Sequence, residues 1–90
     1  MFPAGNADLV NQLRRAAFSV PLNIAEGAGK VSQKDKRRFY SIARGSALEC
    51  AAVFDIVREF GVEDEEVLLE AERVLVEIVC MLSKMSLDGG

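Results

Sequence analysis

The chain has 90 residues, half of them hydrophobic and 28% charged, a balance that is typical of a globular protein and not of a disordered or fibrous one. This length fits one domain, residues 1–90, with a modest core. No apolar run approaches the roughly 18 residues of a membrane span, and no secretory signal is recognisable, so we expect a cytoplasmic protein that does not enter a membrane. Histidine is absent, which removes the commonest general base and metal ligand. We therefore expect no catalytic residues, no metal and no cofactor.

Charge is distributed unevenly along the chain, and this asymmetry is more informative than the net charge of -3. Residues 1–45 contain eight basic and three acidic side chains, a net +5, whereas residues 46–90 contain three basic and eleven acidic side chains, a net -8. A surface that binds a polyanion is therefore expected in the first half of the chain.

The first of three predicted helices extends from about Asp8 to Glu26, with Asn6 or Asp8 as its cap and Gly27 and Gly29 as its left-handed stop. Its apolar side has the helical spacing of three and four residues and consists of Leu9, Leu13, Ala16, Ala17, Val20 and Ile24. Pro21 lies inside this segment and removes a backbone donor, so we expect a kink there.

The second helix is predicted to begin at Ser32 and end at Gly61, and the third to begin in the acidic cluster 63–66 and end near Leu87. The core stripe of the second helix is predicted to be Phe39, Ile42, Ala43, Ser46, Cys50, Val53, Phe54, Val57 and Phe60. The corresponding side of the third helix is predicted to be Val67, Leu68, Ala71, Val74, Leu75, Ile78, Leu82 and Met85. The expected fold is all-α, an up-and-down helical bundle with three long helices.

The second and third helices each carry further apolar residues on the side opposite the core stripe, although an isolated amphipathic helix needs only one stripe. The outer residues that we assign to an interface between copies of the chain are Gly45, Leu48, Ala52, Ile56, Leu69, Val76 and Cys80. The alternative is that they are scattered apolar surface residues, which are ordinary. We favour a homo-oligomer, because three helices cannot surround the apolar segment 74–82.

The spacing of the relevant residues does not support a disulfide, a zinc site or a phosphate-binding loop. Cys50 and Cys80 show no disulfide pattern, so we expect both to be reduced packing residues, and two distant cysteines cannot form a zinc site. The glycine-rich loop 27–32 resembles a phosphate-binding loop, but Ile24 and Val31 stand where that motif requires glycine and Ser or Thr.

Three acidic residues, Glu26, Glu49 and Asp55, can be combined into an acid-base pair, but nothing in their spacing specifies a catalytic site. The simpler interpretation is that Glu26 or Glu49 pairs with Arg44 across the bundle, with Asn23 joining this network.

The basic side chains of the first two helices form the candidate nucleic-acid site. These residues are Arg14, Arg15, Lys30, Lys34, Arg37, Arg38 and Arg44. They can neutralise phosphates, and Tyr40 can stack on a base. The alternative is a solvated surface that only keeps the protein soluble, and composition alone favours this alternative.

Two stretches of sequence have a long and specific pattern, Gln12-Leu-Arg-Arg-Ala-Ala-Phe-Ser-Val-Pro-Leu-Asn-Ile-Ala-Glu-Gly27 and, after Phe39, Ile42-Ala-Arg-Gly-Ser-Ala-Leu-Glu49. Over about residues 2–85 the chain resembles the four-helix-bundle proteins related to those encoded in intervening sequences of bacterial large-subunit ribosomal RNA. That family is similar to the accessory variability determinant of diversity-generating retroelements, a pentameric barrel with a positive surface that binds nucleic acid and a reverse transcriptase.

The resemblance implies a ring-like homo-oligomer, with RNA or DNA as partner. It assigns contact roles to the basic motif residues Arg14, Arg15 and Arg44 and to the basic start of the second helix at Lys34, Arg37 and Arg38. It assigns packing and polar-network roles to Asn23, Glu26, Gly45, Ser46 and Glu49. Members of the family carry a further helix before the Phe-Pro that here is Phe2-Pro3, so we expect this chain to lack the first of the four family helices.

The function we predict is that of a non-enzymatic, self-associating bundle that binds RNA or DNA electrostatically through its basic half. The alternative prediction is a scaffold that binds another protein and no nucleic acid.

Overall fold

The structure, a computed structural model, describes residues 7–61 and 64–88. It contains three α-helices in these ranges, α1 (Ala7–Ala28), α2 (Gln33–Phe60) and α3 (Glu65–Asp88), and no strand. Successive helices run in opposite directions, so the predicted all-α, up-and-down arrangement is confirmed. Asn6, one of the predicted caps, and the Phe2-Pro3 segment lie outside the described residues.

At the ends of α2 the structure agrees with the sequence. On α1 the predicted left-handed stop at Gly27 and Gly29 is wrong, because α1 continues through Gly27 to Ala28 and neither glycine has a positive φ. The hydroxyl of Ser32 accepts a hydrogen bond of 3.0 Å from the backbone N–H of Asp35, which makes Ser32 the N-cap of α2. Gly61 follows α2 with a φ of 87°, a left-handed value that favours glycine. Asp64 accepts a hydrogen bond from the backbone N–H of Val67 and thereby caps α3. The first helix continues without interruption through Pro21.

The central helix of the fold is α2, because α1 and α3 each pack along it, whereas no Cα atom of α1 lies within 8 Å of a Cα atom of α3 in the described ranges. The core cluster consists of Val20, Tyr40, Ala43, Ala47 and Leu82. Ala43, Ala47 and Leu82 are completely buried. The side of α2 that packs against the neighbouring helices therefore carries small residues.

The observed core differs from the apolar stripes that the sequence predicts for α2 and α3. Tyr40 and Ala47 are buried, whereas Ile42 and Phe60, both predicted to be core residues, are exposed. On α3 the predicted core residues Val67 and Val74 are exposed as well. The buried side of α2 is therefore rotated from the prediction toward its small residues.

Tyr40 is held in the core by its contact with Gly27. A Cβ atom added at Gly27 would lie 2.6 Å from Cε1 of Tyr40, so the ring occupies the space that any other residue at position 27 would fill. The suggestion that Tyr40 stacks on a base is wrong, because its ring is buried between α1 and α2.

Arg58 joins the end of α2 to α3. Its guanidinium group lies 3.0 Å from a carboxylate oxygen of Glu65 and 2.8 Å from one of Glu72. The hydrogen bonds from Arg58 lower the pKa of Glu72 below its usual value of 4.5, and the two glutamates raise the pKa of Arg58.

This lowered pKa predicts a pH-dependent contribution of Glu72 to stability. A carboxyl group with a lowered folded-state pKa stabilises the fold fully above its unfolded pKa and loses this contribution as the pH falls through the folded value. We expect Glu72→Gln to be less stable than the wild type at pH 7, and the difference to shrink steadily below pH 4.5. Urea unfolding at several pH values, monitored by circular dichroism, measures this difference in the free energy of unfolding.

Glu70→Gln is the matched control, because Glu70 pairs with Arg73 on the exposed surface of the same helix. Exposed ion pairs contribute little, so this variant is expected to stay close to the wild type throughout. A Glu72→Gln deficit that is independent of pH would contradict the assigned role of the Arg58 pair.

Candidate nucleic-acid interface

The outer side of α2, opposite its buried side, changes in character along the helix. Its first turns are basic, its middle is apolar and its last turns are acidic. In chain order the exposed or half-buried residues on this side include Lys34, Arg37, Arg38, Ser41, Gly45, Leu48, Ala52, Asp55, Ile56 and Glu59. Positive charge is therefore concentrated at the end of the bundle where α1 turns into α2.

We call this region the basic end and define it as Lys30, Lys34, Arg37 and Arg38. Two of its cations flank one aromatic ring: Nζ of Lys30 lies 5.1 Å and Cζ of Arg38 4.6 Å from the ring centroid of the half-buried Phe39. Such cation-π contacts orient the two charges without neutralising them. The sequence placed Phe39 in the core stripe and did not predict this role.

The four cations of the basic end differ in their partners. Lys30 forms an ion pair of 3.5 Å with Glu26 on the last turn of α1. Among the residues that the structure describes, no carboxylate lies within ion-pair distance of Lys34, Arg37 or Arg38. These three positive charges are therefore open to an external anion.

Lys36, in the same segment, has a different role. Its Nζ donates hydrogen bonds of 3.5 and 3.3 Å to the carbonyl oxygens of Gly27 and Ala28. These are terminal carbonyls of α1, where the helix dipole attracts a cation. Lys36 thus holds the turn that presents the basic end.

The other predicted contact residues lie elsewhere. Arg14 and Arg15 line a shallow depression on α1 beside Asp8, and the 13 residues from Arg15 to the end of α1 at Ala28 correspond to roughly 20 Å of helix. Arg44 donates through Nε to the hydroxyl of Ser83 on α3. The seven predicted residues therefore do not form one continuous site.

The polar contacts between α1 and α2 are structural. Gln12 donates to the Glu49 carboxylate at 3.1 Å, and the hydroxyl of Ser46 donates to that of Ser19 at 2.7 Å. Within α1, the amide of Asn23 donates to the backbone oxygen and the hydroxyl of Ser19. The predicted pairing of Arg44 with Glu26 or Glu49 is wrong, because these carboxylates have the nearer partners Lys30 and Gln12.

The predicted interface residues are all exposed on the single chain. Leu48, Val76 and Cys80 line one groove of about 390 Å³ between α2 and α3. An added Cβ at Gly45 would meet no atom within 4 Å, so the surface there is open. Their assignment to an interface between copies stays a prediction.

Both cysteines are free thiols, as predicted. Cys50 is buried, and burial together with the neighbouring charge of Glu49 raises the pKa of its thiol. Cys80 is exposed, so it is not the core packing residue that its apolar surroundings in the sequence suggested.

The fold and the basic end define a small all-α protein with a concentrated cationic surface. No helix in the described ranges is both long enough and apolar enough to cross a membrane. Residues 2–84 match the family described as 23S rRNA-intervening sequence protein, and the chain belongs to that family. This membership confirms the resemblance seen in the sequence. No protein of curated function matches the chain.

Proposed function

We propose that the protein is a non-enzymatic, self-associating helical bundle that binds double-stranded regions of RNA or DNA through its basic end. The observation that carries the proposal is the group of cations Lys34, Arg37 and Arg38, which have no carboxylate partner within the described ranges. Membership of a family named for an intervening sequence of 23S rRNA supports a nucleic acid as the anion.

The spacing of these cations suits a phosphate backbone. Arg37 and Arg38 follow Lys34 by three and four residues, so each is a neighbour of Lys34 on one side of α2, at about 5–6 Å between Cβ atoms. Phosphate contacts of this kind position a protein on a duplex but do not read its sequence. Tyr40 is buried and Phe39 is covered by Lys30 and Arg38, so base stacking contributes little.

Self-association is the second part of the proposal. The apolar middle of the outer side of α2 and the outer stripe of α3 are both exposed, and exposed apolar patches of this kind mark interaction sites. The exposure of Leu48 and Val76 on either side of one groove supports an interface at this place.

Fluorescence anisotropy with a labelled RNA hairpin and a labelled DNA duplex tests nucleic-acid binding. We expect binding to both probes at low salt and a linear fall of log K with log salt, with a slope of about -3 on DNA, because three phosphates are neutralised at about -0.9 each. An absence of binding to either probe at low salt would overturn the proposal. A stable protein partner recovered without nucleic acid would then favour the scaffold alternative, which the exposed apolar groove supports.

A further inference from the structure

A small pocket of about 300 Å³ lies between α2 and α3, close to the C-terminal end of α3. Its lining consists of Ser41 and Arg44 from α2 and of Ser83, Ser86 and Leu87 from α3. Three hydroxyl groups and one guanidinium group therefore face this space, and among the described residues no carboxylate lines it. Such a set of hydrogen-bond donors suits a negatively charged ligand.

Arg44 is held in place by one of its five N–H groups. Its Nε donates a hydrogen bond to the hydroxyl oxygen of Ser83 on the opposite helix. Within the described ranges its two terminal nitrogens form neither a hydrogen bond nor an ion pair. Their four N–H groups form the planar fork with which arginine binds two oxygens of one phosphate or carboxylate group. Because Ser83 already orients this fork, an anion that binds there has little side-chain motion to arrest.

Ser86 carries a polar atom at the same place that the fold leaves without a partner. Its Oγ is buried and forms no hydrogen bond with any residue that the structure describes. A buried hydroxyl is normally paired with a protein group, an ordered water or a bound ion. Rotation about the Cα–Cβ bond of Ser86 turns this hydroxyl toward the pocket that the residue lines. A ligand in the pocket thus supplies the acceptor that the hydroxyl lacks.

We infer that this pocket binds a phosphomonoester group, and that the group is the terminal phosphate of a nucleic-acid strand. The inference rests on the nucleic-acid binding proposed above, which supplies the strand. A phosphomonoester carries a charge of about -1.5 to -2 at pH 7 and has three free acceptor oxygens. The fork of Arg44 and the hydroxyls of Ser41, Ser83 and Ser86 provide enough donors for all three oxygens. A backbone phosphodiester has a single charge and two free oxygens, so it uses fewer of these donors.

The pocket and the basic end are neighbours on α2 but differ in shape. Lys34, Arg37 and Arg38 lie on an outer surface that suits the side of a duplex, whereas the pocket is a crevice between two helices that suits a projecting group. Arg37, Ser41 and Arg44 follow one another by four and three residues, so they lie on one side of α2. Arg37 and Arg44 are about 10 Å apart along the helix axis. A strand that ends in the pocket therefore continues over the basic end.

The end of α3 contributes a local field that opposes an anion. The pocket lies at the last turns of this helix, where the helix dipole is equivalent to roughly half a negative charge. Arg44 contributes a full positive charge at the pocket itself, and the basic end adds further positive charge from the same helix. The positive contributions are larger, so the pocket attracts an anion.

Fluorescence anisotropy with two RNA hairpins of identical sequence tests the inference. Both hairpins are labelled in the loop; the strand ends of one are hydroxyl groups, and those of the other carry a phosphate. The wild type is expected to bind the phosphorylated hairpin about tenfold more tightly, because hydrogen bonds to a charged phosphate are among the stronger ones.

Two variants identify the pocket as the origin of this preference. Arg44→Lys keeps the charge but removes the fork, and Ser86→Ala removes only the unpartnered hydroxyl. In both variants the ratio of the two affinities is expected to fall to within about twofold of 1. Ser86→Ala is also expected to unfold at the same temperature as the wild type or higher, because no hydrogen bond is lost. The matched control is Arg73→Lys, an exposed arginine of α3 outside the pocket, which is expected to keep the full ratio.

The outcomes separate this inference from the proposed function. Binding of both hairpins with equal affinity by the wild type would overturn the pocket inference and leave the basic end as the nucleic-acid site. Binding of neither hairpin would overturn the proposed function and the inference with it. Inorganic phosphate is the second probe, with the Nε–H signal of Arg44 followed by NMR. A shift of this signal without any preference for the phosphorylated hairpin would assign the pocket to free phosphate and overturn the nucleic-acid source.

Discussion

Leu82→Ala is expected to lower the free energy of unfolding by about 2–5 kcal/mol, the usual range for removing a large side chain from a core. Leu82 is completely buried and packs in one cluster with Val20 of α1 and with Tyr40, Ala43 and Ala47 of α2. Its side chain is thus shared by all three helices, and the alanines beside it are too small to collapse into the cavity. In a 90-residue domain such a loss is a large part of the total stability.

Urea unfolding at fixed protein concentration measures this effect, and Met81→Ala is the matched control. Met81 precedes Leu82 on the same helix and has a similar volume, but 48% of its surface is exposed. We expect the control to stay within about 0.5 kcal/mol of the wild type, as exposed positions usually do. Equal losses at the two positions would mean that Leu82 is not the residue on which the core depends.

The elements of the fold were predictable because their signals are local. Capping by Ser32, the left-handed residue Gly61 and the 3.6-residue period of the apolar residues depend only on neighbours in the chain. Helix bounds inferred from these signals agree with the structure to within about two residues, which is the usual uncertainty of a helix end. The order of three helices with short turns then implies the up-and-down topology.

The side of α2 that is buried was not predictable in the same way. Apolar periodicity gives weight to large residues such as Ile42 and Phe60, whereas the helices approach most closely where side chains are small. Ala43 and Ala47 let the neighbouring helices pack near the α2 axis, and the absent side chain of Gly27 makes room for Tyr40. These requirements depend on the neighbouring helix and cannot be read from one helix alone.

The candidate site was predicted in composition but not in arrangement. Charge counting located the basic residues in the first half of the chain, and Lys34, Arg37 and Arg38 indeed lie together. Counting charged residues does not show which cations already have a partner. Lys30 forms an ion pair with Glu26, and Arg44 donates a hydrogen bond to Ser83, which is distant in sequence. It also does not show the distance that separates Arg14 and Arg15 from the basic end.

Arg37→Glu combined with Arg38→Glu is expected to weaken binding of an RNA hairpin or a DNA duplex by more than about a hundredfold at low salt, since two phosphate contacts become two repulsions. The loss is expected to be equal for unrelated sequences of the same structure, because contacts to phosphates carry no sequence information. Replacing both arginines by alanine removes the contacts without the repulsion and is expected to reduce the magnitude of the salt slope by about 2.

The control for the Arg37→Glu and Arg38→Glu double variant also reverses two positive charges, but on α3. Arg73→Glu combined with Lys84→Glu changes the net charge equally, on the exposed surface of α3 and outside the basic end. Both double variants are therefore also measured at physiological salt, where the Debye length is about 8 Å. If a local site binds the nucleic acid, this control keeps most of its affinity there, because exposed charges that are farther apart than this length interact weakly. Equal losses in the two double variants would show that only the overall charge matters, and the basic end would then have no special role.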